Sequence, residues 1–113
     1  MKFILTKKDI IALNQEFDQG TIINESSLDY VISYVRRTEN WTKALAWLIR
    51  AILIDHVFEE ANKRTSALLL KTYVEFEGYN IETADTIKII KKIVTKNITS
   101  IKKIEDLIQN AIK

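Results

Sequence analysis

The sequence predicts an all-α protein, a compact body of six helices with a short flap between the first and second. Three observations predict it: proline is absent, glycine occurs only at Gly20 and Gly78, and apolar residues return every three or four positions. Proline and glycine are the residues that interrupt helices, and a spacing of three and four sets apolar side chains on one helical face. With 113 residues, 47% hydrophobic and 28% charged, the chain reads as one ordered domain over residues 1–113. That length buries one modest core and is too short for two.

Ile10, Leu13 and Phe17 mark the first helix, opened by Thr6 with Asp9 three residues later, a hydroxyl cap with a reciprocal acid. The stretch QGTIINESS at residues 19–27 fits neither this helix nor the next, and its Thr-Ile-Ile reads as the short extended flap. Leu28, Val31, Ile32 and Val35 mark the second helix, with Ser26 and Asp29 as its capping pair. Trp41, Ala44, Leu45, Leu48 and Ile52 mark the third, the most apolar of the six. The fourth opens within residues 62–65, carries Leu68, Leu69, Leu70, Tyr73 and Val74, and runs to about Glu77, where Gly78 can take the left-handed conformation that ends a helix. Ile87, Ile90 and Val94 mark the fifth, and Ile101, Ile104, Ile108 and Ile112 the sixth, which Ser100 caps.

Composition excludes several function classes. Lys and Arg outnumber Asp and Glu by 17 to 15, an excess too small to imply nucleic acid or an anionic membrane as partner. Lys88, Lys91, Lys92 and Lys96 form a stripe on the fifth helix, but without arginines or aromatics among them it reads as a solvated face. The absence of cysteine rules out disulfides, thiolate catalysis and cysteine zinc sites, and a single histidine rules out His-pair metal motifs. The apolar stretch ALAWLIRAILI at residues 44–54 is interrupted by Arg50 and falls short of the ~20 residues that span a bilayer. The start, MKFILTKKD, has three consecutive apolar residues after Lys2, too few for the core of a signal peptide, so a cytoplasmic protein is expected. Trp41 falls on the core stripe, whereas Trp47 lies off it and is the better candidate for a partner interface.

The chemistry concentrates in HVFEEANKRT at residues 56–65. His56 is the only histidine, and an ordinary imidazole is mostly an uncharged base near neutral pH, suited to taking a proton from an attacking hydroxyl. The plainer reading is a histidine at a helix end, where it suits the dipole. Residues 62–65 open a helix whose first N–H groups lack intrahelical partners and so favour anions. Arg64 adds a two-pronged donor for phosphate oxygens and Lys63 a point charge. Glu59 and Glu60 repel phosphate unless a cation intervenes, and Mg²⁺ is commonly held by one or two protein carboxylates together with substrate phosphates. Without His56 and Asn62 the same stretch would be an ordinary helix start, acids before bases.

The order of base, Phe58, carboxylate and anion donors resembles the Fic/Doc family. Its Fic branch carries His-Pro-Phe-x-(Asp/Glu)-Gly-Asn-Gly-Arg-x-x-Arg, and its Doc (death on curing) branch reads His-x-Phe-x-(Asp/Glu)-(Ala/Gly)-Asn-Lys-Arg-Thr, to which HVFEEANKRTSA is closer. SSLDYVISYVRR before the motif, and FEGYNI and NITSIKKIEDLI after it, extend the resemblance over nearly the whole chain. It implies a six-helix Fic-like fold. It also implies His56 as general base, Phe58 as core anchor, Glu60 as the magnesium carboxylate, and Asn62, Lys63 and Arg64 as contacts to the phosphates of ATP. Glu59 falls on a variable position. Val57 replaces the Fic proline, Lys63 a glycine and Ala67 the second arginine. A long charged side chain where glycine admits close backbone approach displaces the nucleotide, which favours transfer of the terminal phosphate over the nucleotide monophosphate.

The resemblance further implies a toxin of a toxin–antitoxin pair. Its target would be a Ser or Thr hydroxyl of a translation factor of the elongation factor Tu type, and an antitoxin helix would restrain it from a groove. The nearest match to the family's built-in inhibitory motif, TIINES at residues 21–26, ends in Ser26, which favours inhibition by a separate protein. Two alternatives stay open: protein adenylylation on the same fold, and a non-enzymatic helical binding module.

Overall fold

Helix caps and buried apolar stripes account for the architecture of the computed structural model, which describes residues 5–113. Residues 1–4, which include the first two residues of the short apolar run considered as a signal core, lie outside the described residues. Six helices follow one another among those described: α1 (Lys7–Asn14), α2 (Glu25–Arg37), α3 (Trp41–Leu53), α4 (Asn62–Phe76), α5 (Thr83–Thr95) and α6 (Ile101–Ala111). The fold is all-α, as expected.

The Thr6–Asp9 capping box forms in both directions, the Asp9 N–H donating to Thr6 Oγ1 and the Thr6 N–H to the Asp9 carboxylate. Helix α2 corrects the expected cap. Asn24 stands at the cap position and accepts from the Ser27 N–H at 3.4 Å, while Asp29 pairs instead with Lys7 at 2.9 Å. An asparagine two residues earlier competes successfully with Ser26 because its amide also reaches the Asp55 carbonyl at 2.9 Å. Asn40 caps α3 and Ser100 caps α6.

Helix α3 is the centre of the packing and touches α2, α4 and α6. Leu45, Leu48, Ile49 and Ile52 are all within 1% of complete burial, each contributing about 1.5–3 kcal/mol on removal from water. Trp41 is half-buried and stacks on Tyr73 and Tyr79, with ring centroids at 6.2 and 5.6 Å. Trp47, the candidate for a partner interface, is half-buried: the Tyr34 ring lies 4.8 Å away and the Arg50 guanidinium 4.4 Å from the ring centre.

Two expected stripes are corrected. Helix α1 ends at Asn14, so Phe17 lies in the following turn and is 37% exposed. On α5 the buried face is Thr86, Ile89, Ile90 and Ile93, and Ile87 is 57% exposed. Apolar residues at 87, 89, 90, 93 and 94 support two overlapping helical stripes, and Thr86 can join the buried one because its hydroxyl donates to the Glu82 carbonyl at 3.1 Å. Lys88, Lys91 and Lys92 of α5, and Lys96 just past its end, are exposed.

Between α1 and α2 the expected flap is present. Ile22 pairs antiparallel with Phe58, the Ile23 N–H donates to the Val57 carbonyl at 2.8 Å, and the Glu59 N–H donates to Thr21 at 3.0 Å. This short pairing holds the segment between α3 and α4 in place.

Candidate active site

The segment between α3 and α4 is anchored from the core outward. Val57 and Phe58 are fully buried, whereas His56, Glu59 and Glu60 on either side are exposed. His56 has φ +51° and Ala61 φ +63°, so two non-glycine residues in the sparsely used left-handed region bracket the loop. Such backbone persists only where surroundings hold it, and the surroundings here are specific. The Asp55 carboxylate accepts from Ser27 Oγ at 2.7 Å and its carbonyl from Asn24, tying the residue before His56 to the start of α2.

Asn62 closes the loop. Its Oδ1 accepts from the Phe58 N–H at 3.0 Å and its Nδ2 donates to the Phe58 carbonyl at 2.8 Å. The side-chain amide expected to contact phosphate is therefore committed to the loop backbone. What Asn62 offers an anion is its main-chain N–H in the first turn of α4. That turn carries no side-chain cap, because the cap position is Ala61. Uncapped N–H groups and the positive end of the helix dipole both favour an anion there.

His56, Glu60, Asn62, Lys63 and Arg64 all line one open cavity of about 460 Å³, together with Leu53, Glu59, Ala61 and Val94. All five residues singled out from the sequence thus meet at one place. Ion pairs among the described residues lie elsewhere, at Lys7, Lys71 and Lys102, so Glu60, Lys63 and Arg64 form none. The Arg64 guanidinium sits 5.4 Å from the Phe17 ring, a distance at which cation and ring attract. Lys63, Arg64 and Val94 also line a second, more apolar cavity between α4 and α5, floored by Ala67, Ile87 and Ile90.

No group of three or more His, Cys, Asp or Glu able to hold a metal occurs among the described residues, so a cage made of protein ligands alone is absent there. The donor set fits a different mode. Glu60 is an exposed carboxylate beside an uncapped helix start, with Glu59 lining the same cavity, and Mg²⁺ is commonly bound by one or two carboxylates plus phosphate oxygens and water.

Residues that the sequence reading missed do much of the positioning: Asn14, Asn24 and Asp55. Asn14 had a signal, being a polar residue four positions after Ile10 on the buried stripe of α1. Asn24 and Asp55 had none beyond their residue types. No helix among the described residues is long and apolar enough to cross a membrane. Comparison with protein-family models, with curated proteins and with solved structures gave no match.

Proposed function

We propose that the chain is a protein phosphotransferase of the Doc type, moving the terminal phosphate of magnesium ATP to a Ser or Thr hydroxyl of a target protein. The observation that carries this reading is the meeting of His56, Glu60, Lys63 and Arg64 around one open cavity at the uncapped start of α4. A base, a carboxylate and two cations that form no ion pair among the described residues, beside the uncapped N–H donors of α4, form a set suited to phosphoryl transfer, since its catalysis is mainly positioning and charge stabilisation.

His56 takes the proton of the target hydroxyl as its oxygen bonds to the γ-phosphorus and the bond from that phosphorus to the bridging oxygen breaks, leaving ADP. Its exposure keeps the imidazole within reach of a protein substrate. Lys63 and Arg64 hold the phosphate chain, helped by the first N–H groups of α4. Glu60 is the residue that would hold magnesium, which when bound neutralises phosphate charge. By the resemblance of the motif, the target is a translation factor of the elongation factor Tu type and a partner antitoxin restrains the enzyme.

The test uses purified protein, candidate translation factors and ATP labelled at the γ or the α position. Label from γ only, lost in His56→Ala, is the expected result. Label from α makes the protein an adenylyltransferase, and label from neither with any target supports a helical binding module.

A further inference from the structure

Asn14 is completely buried on α1, where an apolar residue would pack without needing polar partners. Its amide instead meets three of them, each at 3.0 Å or less. Nδ2 donates to the Glu60 carbonyl at 3.0 Å and to Thr65 Oγ1 at 3.0 Å, and Oδ1 accepts from the Gly20 N–H at 2.8 Å. Both donor hydrogens and one acceptor position are thereby used. The partners belong to three separate pieces: the loop that carries His56, the first turns of α4, and the base of the flap. Gly20 sits at φ +77°, with Gln15 and Ile11 atoms 2.9 Å from where a Cβ would be, so the flap begins in tight contact with α1.

We propose that Asn14 is a positioning residue that couples the flap to the loop bearing His56 and Glu60, and through the Glu60 main chain fixes where the magnesium carboxylate stands. Its role at Glu60 rests on the phosphotransferase reading. Its coupling of flap to loop does not. A buried amide whose hydrogen bonds run to three segments specifies their relative register, because leaving any one of them unpaired is costly.

The test compares Asn14→Asp, Asn14→Leu and Thr65→Val in the full chain. Aspartate keeps the size and the acceptor for Gly20 but replaces both donors with an acceptor. Leucine removes all three hydrogen bonds while preserving burial, and serves if the aspartate variant does not fold. Thr65→Val removes one partner of Asn14, together with the hydroxyl's own bond to the Ala61 carbonyl at 2.7 Å, and leaves the Asn14 bonds to Glu60 and Gly20.

The first readout is amide hydrogen exchange at Ile23 and Glu59, the N–H groups that join flap and loop. It is expected to quicken about tenfold relative to Leu48 in the Asn14 variants, the factor equivalent to one lost hydrogen bond, and to keep the wild-type ratio in Thr65→Val. If Ile23, Glu59 and Leu48 quicken together in the Asn14 variants, Asn14 serves global stability only and the coupling is overturned. The second readout is the Mg²⁺ concentration that half-saturates ATP binding in calorimetry. It is expected to rise about tenfold in the Asn14 variants and to stay unchanged in Thr65→Val. Looser flap amides with an unmoved Mg²⁺ requirement overturn the role at Glu60. A wild type that binds no magnesium ATP overturns the functional reading and with it the Glu60 role, while exchange alone still decides the coupling.

Discussion

His56 is exposed, makes no side-chain hydrogen bond among the described residues and has a left-handed backbone, a combination that serves stability poorly and proton transfer well. His56→Ala is expected to lower kcat by about 10²–10⁴, the usual worth of a general base, with the urea unfolding midpoint unchanged. Ala61 also carries a left-handed backbone, and the proposed reaction assigns it no role. Ala61→Gly is therefore expected to stabilise the fold by about 0.5–1 kcal/mol in urea unfolding, the relief of strain exceeding the added freedom of the unfolded chain. Asn62→Ala should cost about 1–3 kcal/mol in the same measurement, because Phe58 loses partners for both its N–H and its carbonyl. His56, Glu60, Lys63 and Arg64 were legible in the sequence because they fall within nine consecutive residues, and a short loop running into a helix start brings such neighbours together. The role of Asn62 was not, since an amide serves a phosphate oxygen and a peptide group equally well. Asn14 was further from view, its carbonyl partner lying 46 residues away.

Among the elements, the helices were the most legible part, because apolar spacing and caps are local properties of the chain. Where local signals overlapped, tertiary contact decided: Asn24 outcompeted Ser26 as the cap of α2 by also bonding to Asp55, and the buried face of α5 passed through Ile89 and Ile93 instead of Ile87. The flap was visible as residues that fit no helix, but its pairing with Phe58 joins segments 36 residues apart that no local pattern connects. Its base gives an element-scale prediction. Gly20→Ala forces a β-carbon onto a φ of +77° beside Ile11 and should cost about 1–2 kcal/mol or more in unfolding free energy. The damage is expected to fall on the flap first, seen as faster exchange at Ile23 and Glu59 than in α3.

At the scale of the whole molecule, one core built on α3 supports both the site and the stability of the chain. Tyr73 lies in that core at 2% exposure, and burial, with the nearby Glu77 charge, pushes its phenol from 10 up to about 12. The folded state thus favours the neutral phenol, so the stabilisation is fully present below pH 10 and is lost as pH rises from 10 toward about 12. Unfolding free energy measured across that window should fall in the wild type and fall less steeply in Tyr73→Phe. The central claim concerns chemistry on another molecule, and it is tested most directly on that molecule. Wild type and His56→Ala would each be expressed from an inducible promoter, growth followed, and the masses of the host's intact translation factors measured. The account predicts arrest with the wild type alone and one translation factor heavier by a single phosphate. A wild type that arrests growth while every translation factor keeps its mass, or one factor gains a nucleotide monophosphate, would contradict it.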